Sequence, residues 1–255
     1  MKRSLEVCLI TVALGLAVPH LVAQQSAIAP ARISSLLQAG ITTPILKKGI
    51  SVNMPVAHNA SLVPDADHED ALVVVVTRDG KLFFGIDPIT PAALAQTLKA
   101  DLSKPSGKKL YLKADARAHY SSVTRALEAA NRAGVTAPVL LTTRQVSPRP
   151  DRPVALRGLE VRLGPASSAG AHARVQITGA GAQSPKLKVN DKEVPWDALQ
   201  SKLGQLVQNG SEKSALLQAD GRLPFADIVR VIDTCRGLGI QADLASPSTL
   251  APSAP

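Results

Sequence analysis

Side chains able to do chemistry are few in this sequence, and their spacing excludes most of the reactions they could serve. The run Asp65-Ala66-Asp67-His68-Glu69-Asp70 has the composition of a cation loop. An EF-hand type loop needs glycine at its sixth position and glutamate at its twelfth. Asp70 and Val76 stand there instead, so the run reads as a solvated loop entering a strand. The five histidines are scattered, with no HxH or HxxxH spacing to hold a metal. Of the two cysteines, Cys8 lies in an N-terminal apolar run and Cys235 at an apolar helix position, where a thiol acts as a small buried hydrophobe. Gly179-Ala180-Gly181 lacks the third glycine and the following helix of a dinucleotide site, and no GxSxG or P-loop occurs. No catalytic residue, metal ligand or cofactor-binding residue can be named, and the chain reads as a binder rather than an enzyme.

One polar signature stands out. Lys113-Ala114-Asp115-Ala116-Arg117 closes a strand and precedes a helix. Aspartate at such a turn caps the following backbone or pairs with the nearby arginine, and that structural role is favoured for Asp115. Lys113, Asp115 and Arg117 are also the residues named for partner recognition.

The elements that must position this signature are legible. Ala71–Thr77 (ALVVVVT) is a β-branched run, Arg78-Asp79-Gly80 a turn, and Lys81–Gly85 the returning strand of a hairpin. Thr90-Pro91 opens a helix with proline at its first position and Leu94 and Leu98 on its buried stripe. A strand at Lys109–Lys113 leads to a second helix over Tyr120–Ala133, with Tyr120, Val123, Leu127 and Ala130 inward and Gly134 as its C-terminal stop. Val139–Thr143 closes the unit, giving the order β-β-α-β-α-β.

The unit occurs twice. A shift of 105 residues carries Asp115 onto Asp220, Arg117 onto Arg222, Tyr120 onto Phe225, Leu127 onto Ile232 and Gly134 onto Gly239. It also carries Leu82, Leu94 and Leu98 onto Leu187, Leu199 and Leu203. Upstream, Gly49-Ile50-Ser51-Val52 corresponds to Gly158-Leu159-Glu160-Val161 at a shift of 109, and the second hairpin turn, Gly179–Pro185, is longer. A constant offset at core positions marks a tandem repeat. The fold class is therefore α/β (α+β), with two tandem units that can pack as a pseudo-dimer with exchanged or adjacent edge strands.

Composition sets the frame for both copies. Aromatics make up 2% of the 255 residues, so the cores must be aliphatic. The net charge of +9 comes from lysines and arginines spread along the chain. Without a basic block or stacking aromatics, nucleic acid is not the expected partner. Lys2 and Arg3 ahead of an apolar run from Val7 to Val22, then Ala23 and Gln24, have the layout of a secretory signal peptide cleaved after Ala23. A membrane anchor through residues 7–22 is the rival reading. Residues 24–48 read as a tether, 49–144 and 155–246 as the two domains, 145–154 as a linker, and 247–255 as a disordered tail.

The segment Thr43-Pro44-Ile45-Leu46-Lys47-Lys48-Gly49-Ile50-Ser51-Val52-Asn53-Met54-Pro55 resembles the stretch leaving the membrane in ExbD/TolR biopolymer-transport proteins. The motifs PDADHEDA (64–71), VTRDGKLFFG (76–85), YLKADARAHY (111–120) and Arg132-Ala133-Gly134-Val135 are similar to the periplasmic domain of that family. The resemblance implies periplasmic domains that dimerise, ExbB/TolQ-type and TonB/TolA-type partners, peptidoglycan binding in TolR-like members, and a proton-coupled machine in the inner membrane. In the family a membrane helix with an essential aspartate precedes the Thr-Pro segment. Here residues 29–42 (APARISSLLQAGIT) hold no aspartate and too few apolar residues to span. The expected role is thus an exported binder of protein or peptidoglycan in envelope energy coupling; the alternative is an anchored, proton-motive-force-coupled transporter subunit.

Overall fold

A computed structural model describes residues 50–103, 108–144, 156–164, 172–179, 185–209 and 214–245. All of them fall within one compact unit of the chain, residues 42–255. The N-terminal apolar run, the tether, the linker and the tail lie outside the described residues.

The first sheet gathers β1 (Ser61–Leu62), β2 (Leu72–Val76), β3 (Leu82–Phe84), β4 (Asp87–Pro88), β5 (Leu110–Ala114), β6 (Val139–Thr142) and β7 (Arg157–Glu160), in the order β1-β7-β6-β5-β2-β3-β4. Helices α1 (Pro91–Leu102) and α2 (Tyr120–Arg132) belong to this half. The second sheet contains β8 (Arg162–Gly164), β9 (His172–Thr178), β10 (Lys186–Val189), β11 (Lys192–Val194), β12 (Ser214–Ala219) and β13 (Gln241–Ala245), ordered β11-β10-β9-β12-β13-β8. Its helices are α3 (Leu199–Asn209) and α4 (Phe225–Gly237).

Register reproduces the repeat. Leu82 pairs with Val76 and its counterpart Leu187 with Ile177, both antiparallel. Val74 pairs in parallel with Leu112 as Val175 does with Leu217. Leu112 faces Leu140, and Leu217 faces Leu244. The last strand has therefore slipped to a shift of 104, because the loop after Gly239 is one residue shorter than that after Gly134. Local signals held: the Thr90 hydroxyl accepts from Ala93 N at 3.3 Å, and Gly134 and Gly239 have φ of +96° and +72°, where a glycine ends a helix without strain. The short strands β1, β4, β7, β8 and β11 add to the predicted order.

The strand opening the second half departs from simple repetition. Residues 157–160 join the first sheet, where Leu159 pairs antiparallel with Leu140, and residues 162–164 then enter the second sheet beside β13. A Cβ on Gly158 would stand 2.4 Å from Val139 Cγ1, so this approach requires glycine. The counterpart residues 50–54 form no strand. Ile50, Val52 and Met54 pack on the outer face of the first sheet, over Val73, Val75 and Tyr111. Covering both faces is why β2 can be an unbroken LVVVV run buried throughout. In β9, by contrast, buried Ala173, Val175 and Ile177 alternate with exposed Arg174 and Thr178.

One continuous core joins the halves, with Leu98 and Leu127 in the same cluster as Leu203, Phe225 and Ile232. Residues 57–61 latch onto α4. The buried Asp233 carboxylate accepts from His58 N (3.0 Å) and Asn59 N (2.7 Å), while Asn59 Nδ2 donates to Asp233 O (3.0 Å). Arg236 Nη2 donates to Ser61 Oγ at 3.2 Å.

Urea unfolding should follow one transition, with far-UV circular dichroism coinciding with the fluorescence of the single tryptophan, Trp196. Asp233→Ala should lower the unfolding free energy by roughly 1–3 kcal/mol, because the His58 and Asn59 amides lose their charged acceptor.

Candidate functional site

The Asp–Arg turn predicted as the chain's polar signature lies where the two halves meet. Strand β5 ends at Ala114, and Asp115 N donates to Val76 O while Ala118 N donates to Asp115 O. The Asp115 carboxylate accepts from Arg117 N (2.9 Å), Arg117 Nε (3.2 Å) and Asn53 N (3.3 Å). The second turn is built alike, with Asp220 accepting from Arg222 N (2.9 Å), Nε (3.2 Å) and Nη2 (2.8 Å). Burial opposes ionisation of Asp115, but the bonds from Arg117 and Asn53 outweigh it and hold the carboxyl below its ordinary value. At Asp220 the Arg222 guanidinium lowers the carboxyl in the same direction. Neither carboxylate is poised as a proton acceptor near neutral pH.

The two turns face each other across a local two-fold. His119 bridges antiparallel to Pro224, its own counterpart under the 105-residue shift. Tyr120 N donates to Leu223 O (2.8 Å) and Phe225 N to Ala118 O (2.9 Å). Ser121 N donates to Gly221 O (2.8 Å) and Ala226 N to Ala116 O (2.9 Å). Each pair of bonds is one interaction and its mirror, the mark of an isologous interface. Neither His119 nor Pro224 provides a side-chain cap, so the opening amides of α2 and α4 take their acceptors from the opposite half. His119 Nδ1 lies 3.0 Å from Arg222 O.

Of the three residues singled out in the sequence, the structure brings together Asp115 and Arg117 and sets Lys113 apart. Lys113 shares the outer face of β5 with Tyr111 and is 5% exposed, and its side chain makes no hydrogen bond or ion pair among the described residues. Burial pushes its ammonium below the usual lysine value. Arg117 and Arg222 remain largely exposed, so the junction presents two guanidiniums to solvent. Asn53 and the acceptor carbonyls were not foreseen; the repeat offset was the one signal that could have paired Ala118 with Leu223. Elsewhere the acidic run stays exposed around a short 3-10 turn, Pro64–Asp67. Burial pushes the Cys235 thiol up to about 12, which suits an inert packing group.

The family model for the biopolymer transport protein ExbD/TolR matches residues 40–145 and again residues 153–245. The biopolymer transport protein ExbD of Pseudomonas aeruginosa is 33% identical over 104 residues, which cover 41% of this chain and 76% of that protein.

The two Asp–Arg turns should differ in cost. Asp115→Ala should destabilise by roughly 1–3 kcal/mol, and Asp220→Ala by less, because the Asp220 side chain is 24% exposed against 6% and holds no amide from a distant segment. Both folded carboxyls lie below 3.8, so their contribution is complete above that pH and is lost as pH falls through the lower folded values. Urea titrations across the acid range should show a shallower loss for Asp115→Asn than for the parent.

Proposed function

The chain belongs to the ExbD/TolR family of biopolymer transport proteins, and from that premise we propose that it is an exported component of cell-envelope energy coupling that works by binding. Its two ExbD/TolR-like domains, residues 49–144 and 155–246, form an internal pair in the periplasm. The partners are ExbB/TolQ-type or TonB/TolA-type proteins, or peptidoglycan, and no step of the function is catalytic. The observation that carries the reading is the exchange of helix-capping bonds between the halves. Where the resemblance implies two chains that must meet, this chain holds both domains at high effective concentration and needs no second copy to complete them. Arg117, at the rim of that junction, is the residue assigned to partner contact; Asp115 holds it in place, and Lys113 supports the sheet behind them.

The apolar run Val7–Val22 favours a second reading, an anchored subunit coupled to the proton motive force. No helix among the described residues is long and apolar enough to cross a membrane. N-terminal sequencing of the mature protein separates the two. A start near Gln24 with recovery in the periplasmic fraction supports the binding component. Retention of residues 1–23 with recovery in the membrane fraction supports the anchored subunit and overturns the first reading. For the binding component, the solution mass should equal that of one chain. Affinity purification should recover a TonB/TolA-type or ExbB/TolQ-type protein, or peptidoglycan, and charge reversal in Arg117→Glu should weaken that recovery.

A further inference from the structure

The halves differ at one surface groove, and the difference identifies what the open one accepts. In the second half the Trp196 ring lies over the Arg230 guanidinium, 4.8 Å from centroid to Cζ, and Trp196 Nε1 donates to Pro185 O at 2.7 Å. The indole thereby spans the hairpin end, the start of α3 and the face of α4. Under the 105-residue shift Arg230 corresponds to Arg125, Pro185 to Gly80 and Trp196 to Pro91. Those three residues line a groove of about 720 Å³, mouth included, in the first half. Leu82, Phe83, Pro88 and Ile89 complete its lining. Arg125 is held there by Nη2 donating to Ser122 Oγ at 3.0 Å. Gly80, at φ +79°, sits so near α2 that a Cβ would stand 2.5 Å from Ser122 Oγ, and this fixes the hairpin end against the helix. Proline at position 91 serves as the first residue of α1 and leaves the groove without the ring that fills its counterpart.

We propose that this groove binds an aromatic side chain with a ring N–H or O–H, presented by a protein partner. The ring stacks on Arg125 as Trp196 does on Arg230, and its donor reaches the Gly80 carbonyl as the indole reaches Pro185. Cation–π stacking and a ring donor together select an indole or phenol over an aliphatic side chain. The chain's own rings with an N–H or O–H do not meet this need in a second copy: Tyr111 and Tyr120 are buried and Trp196 is engaged. Ile86, 70% exposed at the tip of the hairpin forming the groove wall, extends the apolar surface a partner segment would cover.

The proposal rests on the protein-binding reading, and its test separates the two. The full-length 15N-labelled chain is titrated with N-acetyl-tryptophanamide, with N-acetyl-leucinamide as the control. Saturable amide shifts are expected at Gly80, Lys81, Ile89 and Arg125 with the indole, and none that saturate with the leucine amide. Arg125→Gln should weaken binding roughly two- to fivefold, and the 1-methyl-indole analogue roughly three- to tenfold. Pro91→Trp, which installs the second half's own ring, should abolish the shifts while leaving the rest of the amide spectrum in place. Shifts that fail to saturate, match those of the leucine amide, or persist in Pro91→Trp overturn the proposal. If the groove fails while affinity purification still recovers a protein partner, the binding reading stands without it. If the groove binds indole and neither a protein nor peptidoglycan is recovered, the binding reading fails and the groove remains.

Discussion

An α-helix leaves its first backbone amides without partners, and a buried helix start must find acceptors for them. In this chain α2 and α4 begin at His119 and Pro224, neither of which contributes a side-chain cap. The acceptors are the carbonyls of Leu223 and Gly221 for one helix and of Ala118 and Ala116 for the other. Each turn must therefore hold its carbonyls outward, in register with the opposite helix. The Asp115–Arg117 and Asp220–Arg222 pairs set that conformation by tying each carboxylate to the turn's own amide and guanidinium. A half taken alone would expose these amides and open its side of the shared core, which runs through Leu127 and Phe225 without a break. The pairing is a condition of the fold.

Around that symmetric centre the two halves have diverged. The segment Leu156–Gly164 serves both sheets in turn, while its counterpart at residues 50–54 lies across the outer face of the first. The first sheet is thus apolar on both sides. The second keeps a polar outer face, where Gln176 Nε2 donates to Gln218 Oε1 at 3.2 Å. The latch of His58 and Asn59 on Asp233 acts on α4; at the corresponding position of α2 stands Glu128, beside Leu163 and Leu244. Joining the copies in one chain frees them from having identical sequences. One half can then fill its groove with Trp196 while the other leaves the same place open.

For a family of biopolymer transport proteins this arrangement has a physical consequence. Association between separate chains depends on their concentration. Two halves sharing a core within one chain stay paired at any dilution.

The sequence by itself determined the local elements and their duplication. The LVVVV strand, the Thr90-Pro91 helix start, the glycine stops and the inward positions of both long helices follow from β-branching, capping chemistry and periodicity, each of which acts over a few residues. The 105-residue offset was legible because packing constrains core positions in both copies alike. The Asp115–Arg117 pairing was legible too, being two residues apart. Other features were decided by the tertiary structure. Strand exchange at Gly158 depends on how closely two backbones approach, and the fate of residues 50–54 depends on which sheet face is left to cover. Lys113 parted from Asp115 because successive strand residues alternate faces while the turn that follows does not. The helix caps could not be read in advance for a simpler reason: their acceptors are main-chain carbonyls, which every residue carries, and only the fold brings the right ones within reach.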